Sequence, residues 1–451
     1  MDEREILRRR DMRDVFTFTI DPADAKDFDD AISFAQNEDG TYQIGVHIAD
    51  VSFYVRPGTP TDEEAYKRGT SVYLVDRVIP MLPEELCNDK CSLRPNEDKL
   101  CMSVIFTMDA DAHVLKYKIC RTVIRSDARL NYDEAQELLR DVHMPNQTND
   151  TQSRQNRDGG NAWSIAGLKQ VISTLSALAT KMRAERIANG ALTIEQDEMR
   201  FRLDEHGHPT EIYFEQPNEA HHLIEEFMLL ANRTVAKAVG SGRPFVYRVH
   251  DLPDYEKMEE VKAFKQRCAM TSRMRRHAVS EDTIRRAIDI LTIRAQAKAV
   301  YSTYNIGHYG LAFSHYTHFT SPIRRYPDLM VHRLVEKYIL TGKKETMTRE
   351  ELELMCEHCS ACEQEAAQAE RESVKQFQAM WMSDHVGETL PGHISGITDF
   401  GFFVQLDDSR CEGLVHIMTI EHPEDFVLGD PVTVKVVNVD LNRALIDFEL
   451  A

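Results

Sequence analysis

The 451-residue chain exceeds one ordinary domain of about 150 residues, and with 42% hydrophobic and 28% charged residues it carries enough apolar material for a folded core. Its net charge of −20 excludes a simple nucleic-acid coat protein, whose affinity comes from surplus Lys and Arg, but leaves room for an enzyme whose basic residues line only a channel. Nine scattered cysteines are not spaced as a small secreted disulfide framework, and no run of about 18 apolar residues reads as a membrane span, so a reducing cytoplasm is the expected setting.

In chain order, "VFTFTI" (15–20) alternates as a strand, and "IDPADAKDFDDAI" (20–32) follows with Asp21, Asp24, Asp27, Asp29 and Asp30. "TYQIGVHIADVSFYV" (41–55) predicts two more β segments, and 99–126 a hairpin turning at Asp109 to His113. Residues 146–162 hold almost nothing to bury and read as a surface loop. "IAGLKQVISTLSALATKMRAERIA" has helical periodicity, with Gly190 as its stop; β character returns over 191–214, then a helix over 219–239. Helical pattern dominates 255–301 and 328–384. From 387, short β segments separated by Gly, Asp and Asn predict a small barrel, with a boundary near Val386. The order gives an α+β protein: a large mixed domain over 1–385, β-rich first and helical later, then a five-stranded β-barrel over 386–451.

Two carboxylates about 4 Å apart repel by roughly 4 kcal/mol at an effective dielectric of 20, so the aspartate cluster needs a compensating charge. Hard oxygen ligands without nearby His or Cys favour magnesium or manganese. An EF-hand register from Asp21 fails, because Lys26 falls at its glycine position and Ile32 at its bidentate glutamate. An acidic surface turn without a ligand is the competing reading. In "HYTHFTSPIRRYPDLMVHRLV" (315–335), Ser321 can cap a helix whose first turn holds Pro322, placing Arg324 and Arg325 where phosphate is favoured. An exposed salt-bridging pair is the alternative there.

"TIDPADAKDFDDAIS" (19–33), with its spacing of Asp, five residues, Asp, one residue, Asp-Asp, resembles the signature of the ribonuclease II and ribonuclease R family. These are processive 3′→5′ exoribonucleases with an RNB catalytic domain, and residues 315–335 carry a second match, closer to ribonuclease R. The resemblance implies that Asp21, Asp27, Asp29 and Asp30 bind magnesium, that Asp29, Asp30 and Arg324 are catalytic, and that Asp24 is a bystander. It makes Tyr73 in "GTSVYLVDRVIPMLP" an aromatic stacking on bases, where the residues alone favour a core tyrosine. Tyr132 in "ARLNYDEA" and Glu226 in "AHHLIEEFMLLAN" would hold the 3′-terminal nucleotide, and Arg325 and Glu370 would also lie along the RNA. The pair His221 and His222 with Glu225 and Glu226 lacks a further zinc ligand and reads better as a solvated helix face. Ile194 stands where the family often has a phenylalanine that pairs with the stacking tyrosine.

"CEHCSAC" (356–362) invites a metal reading through Cys356, Cys359 and Cys362, but it has no clear fourth ligand and reads as buried thiols. "GHISGITDFGFFVQL" and "EGLVHI" resemble the S1 RNA-binding domain, an OB-fold, with Phe400, Phe402, Phe403 and His416 as its candidate stacking surface; at least one of these aromatics must be core. The connector 419–430 looks short for that domain, which implies a weaker grip. Typical members also carry cold-shock domains before this region and often a basic tail; neither is seen here, so a catalytic core or a truncated piece of a longer chain is expected. The implied reaction is metal-assisted hydrolysis of single-stranded RNA, entering 3′ end first, by a monomer that releases nucleoside 5′-monophosphates.

Overall fold

A computed structural model describes residues 3–143, 165–192, 197–271, 281–342, 347–420 and 422–451. The predicted loop at 146–162 and Ile194 lie outside these residues. No helix among them is long and apolar enough to cross a membrane.

The first third builds a seven-stranded sheet in the order Arg10–Asp11, Val114–Arg125, Asp98–Met108, Tyr42–Ala49, Asp30–Gln36, Thr17–Asp21 and Ala128–Asn131. Neighbours are antiparallel except at the two edges, where Arg10–Asp11 and Ala128–Asn131 run parallel to their partners. Phe18, Ile32, Val46, Val104 and Ile119 fall opposite one another across five strands, all buried, and make one continuous apolar row. The predicted hairpin at 99–126 is present, with Asp109 accepting the amide of His113 at its turn.

The 41–55 segment departs from expectation. Tyr42–Ala49 is a strand, but Val51–Tyr54 is a helical turn. Asp50 is fully buried and ion-paired to Arg9 at 2.8 Å and Arg121 at 3.4 Å, which fixes the strand end, and the Phe53 amide turns back onto the Asp50 carbonyl.

The helices Ile165–Ala188 and Glu219–Gly240 pack together, and Gly190 (φ 99°) follows the first as its stop. Glu219–Gly240 buries Leu223, Phe227 and Leu230, the stripe its periodicity predicts. The helical pattern over 255–301 is interrupted late: after Glu281–Ala295 the chain becomes a strand, Val300–Ser302, paired with Tyr247–Val249. Thr348 and Glu351 form a reciprocal capping box that starts the long helix Arg349–Ser383.

That helix serves two cores. Its first half sinks Leu352, Cys356 and Cys359 into the main core, while Ala379 and Met382 complete the core of a closed five-stranded barrel over 389–450. The hairpin Glu198–Leu203 with Pro209–Glu215 braces the barrel too: Ile212 packs on its core, Arg410 pairs with Asp197, and the Arg410 guanidinium lies 4.3 Å from the Phe214 ring centre. Met382→Ala is expected to cost about 2–5 kcal/mol by opening a cavity. Hydrogen exchange should show faster opening in 389–450 with the 17–131 sheet unchanged; uniform protection throughout would contradict the helix's double role.

Candidate active site

Sheet polarity explains why the aspartates meet. Thr17–Asp21 ends and Asp30–Gln36 begins at the same end of the sheet, because the two strands are antiparallel and joined by the loop 22–29. The parallel strand Ala128–Asn131 ends there as well, with Asp21 opposite Asn131, so Tyr132 opens the next helix at that end. Asp21 and Asp29 are buried, Asp27 and Asp30 half-buried, and Asp24 is exposed.

Burial pushes all four assigned carboxyls above the usual carboxylate range. Asp30 adds to the upward push on Asp21, and Asp27 and Asp30 add to that on Asp29, while Arg324 opposes it at Asp27, Asp29 and Asp30. One arginine does not neutralise the set. Asp21 Oδ2 is buried with no hydrogen-bond partner among the described residues. Such a set of hard, under-compensated oxygens fits magnesium or manganese. Among the described residues no three His, Cys, Asp or Glu side chains converge as a preformed cage.

Asp29 is the anchor between distant segments. Its Oδ1 accepts the Ile323 amide at 2.9 Å, and its carbonyl accepts the Ala49 amide, also at 2.9 Å. Arg324 therefore follows a residue bonded directly to the cluster. The segment is held from the other side as well: the Ser71 amide donates to the Arg324 carbonyl, and the Tyr326 amide to Gly69. Gly69 (φ 69°) is required there, since a Cβ would lie 2.5 Å from the Cys362 Cβ.

This pairing corrects the predicted helix start. Residues 322–324 form a turn closed by the Arg325 amide on the Ser321 carbonyl, and Arg325 is extended and bridged to Thr70, so the helix begins at Tyr326 with Pro327 in its first turn, and Ser321 is not its cap. The Ser321 hydroxyl instead accepts from Arg324 Nη2 at 3.2 Å. Arg325 donates from Nη2 to the buried Asp328 at 2.8 Å, and Asp328 also accepts the Ser321 amide. Arg324 acts attractively on Asp27, Asp29 and Asp30, whereas Arg325 is tied to Asp328 on the helix that follows it.

Two tyrosines flank the cluster. Tyr73, 40% exposed, lies in the field of Asp27, Asp29 and Arg324, and its amide donates to Glu370 on the long helix at 3.0 Å. Glu370 thus positions the tyrosine's backbone. Tyr132 lies in the field of Asp30, Asp21 and Arg324, and its ring stacks on His221 at 3.7 Å between centres and 10° between planes. Burial pushes both hydroxyls upward and lowers the His221 pKa. His221 is half-buried, so the solvated-face reading fails at that residue.

Glu226 is only 3% exposed and is held by Arg186 through Nε at 3.1 Å and Nη2 at 2.5 Å, whereas its neighbour Glu225 is exposed. The pair lines a cavity together with Met182, Leu229, Leu230 and Phe313. In the barrel, Phe402 is 2% exposed and belongs to the core, so it offers no surface for a base. Strand alternation turns it inward; Phe400, at 51%, and His416 remain outside and adjacent, with the Ile417 amide bonded to the Phe400 carbonyl. Cys356 and Cys359 are buried thiols, and His358 donates to the Tyr66 carbonyl.

The RNB domain model matches residues 9–341, and the model described as S1 RNA binding domain matches 383–450. The chain is 39% identical to a Ribonuclease R of Aquifex aeolicus and 38% identical to one of Thermotoga maritima, covering 99% of this chain in each case. The chain belongs to the RNB-domain ribonuclease R family. It spans 66% of the length of each of those two relatives. Among solved structures, a Mycoplasma genitalium RNase R in complex with ribose-methylated single-stranded RNA superposes with a TM-score of 0.86 at 27% identity, over 100% of this chain and 73% of that one. The RNB match takes in the aspartate loop, Arg324 and both flanking tyrosines, and the S1 match takes in the whole barrel.

The two arginines of this ribonuclease R-like site should separate in stability. Arg325→Ala strips a buried aspartate of its charged partner and is expected to cost about 3 kcal/mol or more. Arg324 bonds through its side chain to the Ser321 hydroxyl, and its carboxylate neighbours can take up protons in its place, so Arg324→Ala should cost less than Arg325→Ala. Urea unfolding reads both, and equal losses would contradict the assignment.

Proposed function

We propose that this chain is a processive 3′→5′ exoribonuclease that hydrolyses single-stranded RNA to nucleoside 5′-monophosphates with magnesium, or manganese in its place. The observation that carries the reading is the placement of Asp21, Asp27, Asp29 and Asp30 at one end of the sheet, where the Asp29 side chain binds the amide just before Arg324 and where Tyr73 and Tyr132 lie in the same field. The RNA held by the Mycoplasma genitalium relative supports the substrate class. Free cysteines among the described residues are compatible with a cytoplasmic enzyme, which we take to act as a monomer.

In this reading Asp21, Asp27, Asp29 and Asp30 hold the metal. When bound, a divalent ion supplies Lewis-acid stabilisation of the phosphate and lowers the pKa of the attacking water. Arg324, already oriented by the Ser321 hydroxyl, donates to the phosphate oxygens on which charge develops. Tyr73 and the Tyr132–His221 pair stack on bases to either side and align the 3′-terminal phosphodiester. Water oxygen bonds to phosphorus, the bond from phosphorus to the preceding 3′-oxygen breaks, and that oxygen takes up a proton. The products are a nucleoside 5′-monophosphate and an RNA one nucleotide shorter. Phe400 and His416 on the barrel offer the incoming strand a stacking surface.

A 5′-labelled single-stranded RNA and its DNA counterpart, each incubated with magnesium, test the proposal. RNA alone should shorten from its 3′ end with release of mononucleotides. RNA binding without cleavage would make the chain a silent RNA-binding protein, and equal cleavage of DNA would make it a broader phosphodiesterase; either overturns the reading. Asp29→Asn keeps an oxygen able to accept the Ile323 amide but loses the charge. It is expected to lower turnover by at least about 100-fold with RNA binding still measurable by filter retention, and full activity would contradict the metal assignment.

A further inference from the structure

The loop 22–29 carries Asp27 at its centre yet has few backbone bonds of its own, the turn from the Ala25 amide to the Pro22 carbonyl being its internal contact. It is fixed from outside by two residues distant from it in the chain, Ser92 and Arg129. The Ser92 hydroxyl donates to the Lys26 carbonyl at 2.8 Å and accepts the Phe28 amide at 3.0 Å, so a single oxygen ties the backbone on both sides of Asp27. The next residue repeats the hold, the Leu93 amide donating to the Phe28 carbonyl at 3.0 Å. Ser92 has no solvent exposure and so does not meet substrate.

Arg129 does the same at the loop's entry. It sits opposite Thr19 in the parallel edge strand and reaches forward, donating from Nη2 to the carbonyls of Pro22 at 3.1 Å and Ala23 at 2.8 Å. Its guanidinium lies 5.0 Å from the ring centre of Phe28, the buried aromatic between Asp27 and Asp29, and its charge acts attractively on Asp21.

From this geometry, and resting on the metal reading above, we infer that Ser92 and Arg129 are positioning residues that set the divalent-cation affinity of the aspartate loop. Asp27 and Asp29 repel each other, and without the two pins the loop has room to carry Asp27 away from Asp29 and Asp30. An arriving cation must then regather it. Losing such outer supports typically costs about 10–100-fold in metal affinity. Raising the metal concentration restores the gathered state, so the defect should be one of affinity that saturation recovers.

Calorimetric titration of the full chain with manganese, compared for the parent, Ser92→Ala, Ser92→Thr and Arg129→Gln, tests this without reference to activity. Ser92→Ala and Arg129→Gln are expected to weaken manganese binding by about tenfold or more, and Ser92→Thr, which keeps the hydroxyl, to restore most of it. RNA hydrolysis by the two weakened variants should recover as magnesium is raised. Parent-like manganese affinity in Ser92→Ala and Arg129→Gln, even with a lowered melting temperature, would overturn the inference by making both residues merely structural. A turnover defect that persists at saturating metal would overturn it too. Absence of manganese binding in the parent would overturn the metal reading and this inference with it.

Discussion

Asp21 and Asp30 at the ends of two antiparallel strands, with Asp27 and Asp29 in the loop that joins them, cannot relax apart freely, because the sheet register fixes where Asp21 and Asp30 stand. The site depends on this constraint. In an exposed turn the same carboxylates would separate into water at little cost, but here the strands, Ser92, Arg129 and the Ile323 amide hold them in a partly dry corner where repulsion is strong. The stability of the surrounding sheet is what keeps them gathered, and it creates a standing demand for positive charge that Arg324 meets only in part.

That demand explains the long-range architecture. Arg324 is some three hundred positions from Asp29 in sequence, yet the Asp29 side chain binds the amide just before it, and Gly69 to Ser71 clamp it from behind. The same clamp leads directly into Tyr73, whose amide is fixed by Glu370. The helix bearing Glu370 runs on to fill the barrel core with Ala379 and Met382. One connected framework therefore fixes the charge cluster, Tyr73 and the barrel with its exposed Phe400 relative to one another.

Much of this was legible in the sequence. Alternation located the strand before the aspartates and the 99–126 hairpin, and the stripe Leu223, Phe227, Leu230 located a buried helix face. What escaped depends on partners distant in the chain. The helix after Arg325 starts late because an extended pairing with Thr70 outcompetes the local Ser-Pro cap signal. Phe402 and Phe400 are two residues apart and chemically alike, but one fills the barrel and the other faces out. Glu226 reads as part of a solvated face on its helix, yet it is buried and paired with Arg186 from another. Ser92 and Arg129 carry no signal until the fold brings them to the loop, and the stacking of His221 on Tyr132 likewise appears only when strand and helix meet.

The central claim is that repulsion among these carboxylates is resolved by a divalent cation, and anomalous scattering from crystals grown with manganese tests it most directly. A manganese peak bordered by oxygens of Asp21, Asp27, Asp29 and Asp30, with Asp24 outside its reach, is the expected result. A map without a peak at that end of the sheet, with the carboxyl groups bonded to one another through shared protons, would contradict it.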